Sequence, residues 1–232
     1  MMIIVVILIT FICQPSIADP LCRKPRQAFT TDFRLDACTF STTGSNQYFI
    51  LEPGYQLKLA GEEDGVLVEL SITVLDETET IGPIETRVVE EKEWHDGELI
   101  EASRNFFALC IETSSVFYFG EDVDIYEDGQ IVSHEGAWRA FEDDNQPGLI
   151  MSGTILLGAR YFQEIAPDVA MDRAVIIRMD AELETTAGEF ENCLVTLETT
   201  PLEPSARSWK VYAPGVGLIK DGDTELVQIV RP

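Results

Sequence analysis

The sequence predicts an all-β fold, a strongly curved antiparallel meander forming a half-barrel or barrel, with at most one or two short helices. Three observations predict it. Apolar and polar residues alternate with period two over most of the chain. Asp-Gly and related dipeptides recur between the alternating runs. Helical periodicity is nearly absent, with PDVAMDRA (167–174) the one stretch able to hold a turn or two.

Residues 66–75 alternate between Glu62-Glu63-Asp64-Gly65 and Asp76-Glu77. Residues 84–94 and 98–110 flank Asp96-Gly97, and 122–127 and 130–134 flank Asp128-Gly129. The pair 174–185 and 189–199 flanks Ala187-Gly188; 207–212 and 216–220 flank Ala213-Pro214-Gly215; 224–230 follows Asp221-Gly222. Asp-Gly between alternating runs signals a two-residue hairpin, because both turn residues take positive φ, which Gly and Asp tolerate. Successive hairpins must cover their edges, hence a curved or closed sheet. The stretch 136–160, GAWRAFEDDNQPGLIMSGTILLGAR, has a polar, turn-rich centre (142–148) and an apolar flank (149–157), and is expected to form a long functional loop.

The chain opens MMIIVVILITFICQPSIADP. Ile3 to Cys13 is apolar but for Thr10, Gln14-Pro15 breaks the run, and Ser16-Ile17-Ala18 offers small residues at the two positions a signal peptidase reads. Residues 1–18 are therefore expected to be a secretory signal, with Asp19 the new N-terminus. A membrane-spanning helix would need roughly 20 apolar residues. The mature part, 19–232, reads as a single β domain, secreted or periplasmic, with an N-terminal arm (19–45) stapled by a disulfide. Cleavage would remove Cys13 and leave Cys22, Cys38, Cys110 and Cys193. An even number in an exported chain suggests two disulfides; Cys22–Cys38 and Cys110–Cys193 are the favoured pairs of three connectivities. No C-x-x-C spacing points to metal.

The formal net charge is −25, and none of it lies in 1–18. Such a chain repels phosphate backbones and anionic membranes, which argues against both as partners.

A two-residue loop at Asp128-Gly129 would set Val123 opposite His134 and Asp122 opposite Glu135. Val123, Ile125, Val132 and His134 would then form an inward face, leaving Asp122, Asp124 and Glu135 outside. Two site hypotheses follow. His134, Trp138, Arg139, Tyr161 and Glu164 could line the mouth of an apolar pocket, since ligand sites combine apolar walls with a few placed polar groups. Asp122, Asp124 and Glu135 could instead share a calcium ion, which would relieve their mutual repulsion.

Enzyme signatures are missing. There is no G-x-S-x-G elbow, His134-Glu135-Gly136-Ala137-Trp138 lacks the second His of a zinc protease, and no glycine-rich phosphate loop occurs.

The segments YFGEDVDIYEDGQIVSHEGAWRA (118–140), PGLIM (147–151), GARYFQEIAPDVAMDRA (158–174), AGEFENCL (187–194), TPLEP (200–204), YAPGVGLI (212–219) and CTFSTTGSNQYFILEPGYQL (38–57) resemble an uncharacterised family of exported bacterial β-rich proteins. Where such relatives carry a Gly-rich, neutral stretch, this chain has Phe141-Glu142-Asp143-Asp144-Asn145. The YAPGVGLI hairpin also resembles exported half-barrels that carry lipids or lipoproteins, at the level of fold. The expectation is an exported, non-enzymatic binding protein for an apolar ligand or a partner segment. The alternatives are a divalent-cation-binding structural or interaction protein and a secreted hydrolase using a carboxylate pair.

Overall fold

The computed structural model describes residues 28–232. The expected signal segment and Cys22 lie outside them. The strands are β1 (Phe40–Ser41), β2 (Gly44–Ser45), β3 (Ile50–Leu51), β4 (Gln56–Glu63), β5 (Val66–Ile81), β6 (Ile84–His95), β7 (Glu98–Cys110), β8 (Ser115–Glu127) and β9 (Gln130–Ser133). They continue as β10 (Trp138–Arg139), β11 (Gln146–Met151), β12 (Arg160–Phe162), β13 (Glu164–Ile165), β14 (Arg173–Thr185), β15 (Gly188–Thr199), β16 (Ser208–Ala213), β17 (Gly217–Asp221) and β18 (Thr224–Val230). A 3-10 turn at Leu35–Ala37 precedes β1.

Thirteen strands follow one antiparallel path, β12-β14-β15-β16-β17-β18-β4-β5-β6-β7-β8-β11-β13. Its two ends, β12 and β13, are separated only by Gln163. Arg160–Phe162 pairs with β14 on one side, and Glu164–Ile165 pairs with β11 on the other. One short segment thus brings the sheet round into a nearly closed barrel. The closure is tight. A Cβ on Gly148 of β11 would lie 2.2 Å from the Gln163 backbone, so only glycine fits that crossing.

The turn chemistry operates as the sequence predicts at three hairpins. Asp64, Asp96 and Asp128 all take positive φ, and each is followed by a positive-φ glycine. At Asp221-Gly222 the turn moves one residue on, because Asp221 pairs with Thr224 and leaves Gly222-Asp223 between them.

Two expectations need correction. Asp76-Glu77 does not end a strand. It lies in a bulge of β5, between the pairs Val74↔Val89 and Thr78↔Arg87. Buried Arg87 fills the bulge, donating to the carbonyls of Leu75 and Glu77 and, through Nε, to Thr42 O at 2.9 Å. The stretch 136–160 is not one long loop. β10 pairs with β8 through Trp138↔Glu121, and β11 pairs with β8 and β13. Residues 167–174 hold a turn, as expected, closed by Ala170 N–H on Ala166 O.

The favoured disulfide pairs are also overturned. Cys38 is joined to Cys110. β1 lies against the end of β7 with Phe40 opposite Cys110, which brings Cys38 within a Cα separation of 5.2 Å. Cys193 sits on β15, far along the sheet order from β7, as a free and fully buried thiol. β1 and the segment before it cover β8, where Phe33 and Phe40 pack edge-on against Phe117, and Phe40 also against Phe119.

The Cys38–Cys110 link closes 72 residues. Replacing both cysteines with serine is expected to lower unfolding free energy by about 2–4 kcal/mol, read by denaturant titration. Peptide mapping without reductant should recover the Cys38–Cys110 crosslink and no Cys110–Cys193 crosslink.

Candidate functional site in the barrel lumen

Closing a sheet sends alternate side chains of every strand into one shared interior. Here that interior encloses a cavity of about 330 Å³. Its apolar wall includes Phe49, Ile50, Leu57, Ile72, Val74, Val89, Ile150 and Leu218. Six carboxyls also line it, namely Glu91 (β6), Glu101 (β7), Glu121 (β8), Glu164 (β13), Asp172 (just before β14) and Glu198 (β15). Among the described residues, Lys210 of β16 is the one basic residue in the lining. A second hollow of about 540 Å³ shares Glu91 and includes Glu63, Glu93, Arg207, Asp221 and Asp223.

Strand register places these groups. Glu91 faces Ser103 across β6 and β7, and Asn105 faces Glu121 across β7 and β8. Between Asn105↔Glu121 and Phe107↔Tyr118 the β8 strand carries an extra residue. Gly120 in this bulge has φ 143°, and a Cβ there would meet Trp138 O at 2.5 Å. The bulge lets Tyr118 and Glu121 point into the same cavity although they are three positions apart.

Burial dominates the electrostatics. It pushes Glu91 up to about 7, with Lys210 opposing and Asp221, Glu101 and Glu93 reinforcing the shift. Glu121 is likewise raised to about 7, chiefly by burial. Glu164 is driven well above the usual carboxylate range by burial and then by the charges of Glu121 and Asp172. Burial also raises Glu101 and Asp172. Desolvation disfavours a charged Lys210, but Glu198 and Asp221 outweigh it and hold the ammonium. Its Nζ lies 3.3 Å from Glu198 Oε2 and 3.2 Å from Asp221 Oδ2. Gln163 Nε2 donates to Glu198 Oε1 at 2.9 Å, while its own Oε1 is buried without a partner.

The sequence-derived pocket residues are dispersed. Glu164 lines the cavity. Trp138 is buried edge-on against Tyr118, and Tyr161 is buried with its hydroxyl unpartnered; neither belongs to the cavity lining. Arg139 turns the other way, stacking over Phe106 at 4.4 Å and reaching Asp122 Oδ1 at 2.6 Å. His134 is corrected outright. Its side chain is 68% exposed, and Nδ1 lies 2.9 Å from Asp124 Oδ1. A register shift between Ile125 and Tyr126 sets Ile125 opposite Ser133 rather than Val132, and Val132 is itself exposed. The inward hairpin face therefore keeps only Val123 fully buried.

The acidic triad is not gathered either. Asp122 is engaged by Arg139 and Asp124 by His134, and Glu135 is exposed. Among the described residues, only Cys38, Cys110 and Glu112 bring three ligand atoms within 4.8 Å, and the two cysteines are bonded to each other.

Sequence reasoning missed Glu91, Glu101, Glu121, Asp172, Glu198 and Lys210. With 41 acids in the chain, no single acid stands out. Register alone would not have placed them, since counting back from Asp96-Gly97 sets Ala102 opposite Glu91, whereas a shift between Glu93 and Trp94 sets Ser103 there.

Comparison with protein-family models, with curated proteins and with solved structures finds no match.

The raised carboxyls make stability fall as pH rises. Each binds its proton more tightly folded than unfolded, so the loss begins in the ordinary carboxyl range and, for Glu91 and Glu121, continues through about 7. Glu91→Gln should therefore raise stability by about 1–3 kcal/mol near pH 8 and change it little near pH 4, measured as the melting temperature of each variant against wild type.

Proposed function

We propose that this chain is an exported, non-enzymatic binding protein whose barrel lumen takes a small organic ligand with an apolar body. The observation that carries the reading is the cavity itself. At about 330 Å³, it falls within the roughly 300–1,000 Å³ range of small-molecule sites. Its wall is apolar on β4, β5 and β17 and polar on β7, β8 and β13. Gln163 Oε1 adds a buried acceptor with its hydrogen-bonding capacity unmet. Such acceptors cost free energy unless water or a ligand satisfies them.

Export is supported by the apolar run Ile3 to Cys13 with its small-residue cleavage site and by the disulfide, which points to an oxidising, non-cytoplasmic environment. Among the described residues no helix is long and apolar enough to cross a membrane. N-terminal sequencing of protein from its own host should begin at Asp19; a chain that retains Met1 would sink the export reading.

The binding reading is tested with the neutral, environment-sensitive dye prodan at about pH 5, where Glu91 and Glu121 hold their protons. Saturable binding of one dye per chain is expected, abolished in Ser103→Trp, which fills the cavity from β7. Circular dichroism confirms that this variant is folded, and Leu218→Phe fills the lumen from the opposite wall should it not be. Wild-type protein that shows no saturable change, or dye binding unaffected in the folded filled variants, removes the lumen as the site.

A further inference from the structure

We infer that the ligand of this lumen is an organic cation, an ammonium group carrying an apolar body. The inference rests on the lumen-binding reading above and specifies its chemistry.

Two independent observations converge. The first is charge. Six carboxyls face one ammonium, and that ammonium, Lys210, is already shared between Glu198 and Asp221. Among the described residues, the acids on the β7–β8–β13 side, among them Glu101, Glu121 and Glu164, have no basic side chain in salt-bridge contact. The second is the polarity of the unmet hydrogen bond. Gln163 is 4% exposed, and its Nε2 is committed to Glu198. Its Oε1 is a buried acceptor with no donor among the described residues, on a residue that lines the cavity. In their ionised form these carboxyls, like the amide oxygen, accept hydrogen bonds and donate none. A ligand ammonium supplies several donors together with the positive charge.

The spacing of the acids selects an organic cation over a metal ion. A divalent metal needs oxygen ligands converging at about 2.0–2.6 Å from one point. Among the described residues, no three of these carboxyls bring ligand atoms within 4.8 Å of one another. An ammonium group with a hydrocarbon body uses the other features of the lumen. Its body lies along Ile72, Val74 and Leu218, with the rings of Phe107 and Tyr118 in the same lining. A neutral apolar molecule would leave the carboxyls and Gln163 Oε1 unsatisfied, and an anion would be repelled.

Binding would exchange a cation for protons. Glu91 is faced by Lys210, Asp221, Glu101 and Glu93, and Glu121 by Tyr118, Glu101, Glu91 and Asp172. Both are partly protonated near neutrality, so a cation docking beside them drives proton release and binds more tightly as pH rises.

Calorimetric titration of the folded chain with n-octylammonium, n-octanol and n-octanoate tests this. Octylammonium is expected to bind at least about tenfold tighter than octanol, with octanoate showing no binding. Its affinity should rise between about pH 5 and pH 8, with protons released in proportion to buffer ionisation enthalpy. Glu164→Gln should weaken octylammonium about tenfold and leave octanol unchanged. Should that variant fail to fold, Glu101→Gln serves in its place. Octanol binding as tightly as octylammonium overturns the cation assignment while leaving the lumen as a binding site. Displacement of octylammonium by calcium chloride overturns it in favour of a metal. Failure of all three octyl probes, together with failure of prodan, removes both readings at once.

Discussion

The structure depends on one geometric constraint, the double pairing of the Arg160–Ile165 segment. Three residues of it hydrogen-bond to β14 and two to β11, with Gln163 between them. Without that closure the sheet would have two edges and an open concave face, and the carboxyls there would be solvated. With it, the inward half of each strand shares one interior. The glycine at 148 is where closure meets its steric limit, because the Gln163 backbone occupies the space a side chain would need.

Closure also explains the electrostatics. A carboxyl on an open sheet surface titrates much as it does in a peptide, whereas one facing a confined lumen loses water and holds its proton. Glu91, Glu121 and Glu164 share this origin although they stand on different strands. One of the cavity's acids, Glu198, is drawn into both the Lys210 and the Gln163 contacts. The remaining acids are what distinguish this interior from a packed apolar core, in which charged groups are almost never found unpaired.

The sequence made the architecture legible and concealed the polarity. Hairpin positions followed from Asp-Gly dipeptides whose backbone requirement is local, and Asp64, Asp96 and Asp128 adopt it. Closure was less visible, because the pairing of β12 and β13 with distant partners leaves no local mark. The bulges were invisible as well. At β5 the bulge carries an acidic pair that reads as a turn, and at β8–β9 a one-residue shift exchanges Val132 for Ser133 opposite Ile125. That single slip reverses the expected environment of His134, since strand faces alternate with period two. The assumption of an apolar inside and an anionic outside failed for a related reason. Period two defines two faces but does not say which one a closed sheet will turn inward, and with Glu91 beside Val89 the inward face is mixed.

Cys193 gives the barrel an internal clock. Its thiol is fully buried on β15, and burial raises it above the ordinary thiol range. A small alkylating reagent can reach that sulfur only when neighbouring strands part, so its modification rate reports how often the wall breathes. Any molecule that settles in the interior and braces the strands would slow the reaction in proportion to its occupancy. The buried sulfur thereby converts an event inside the barrel into a chemical rate observable from outside.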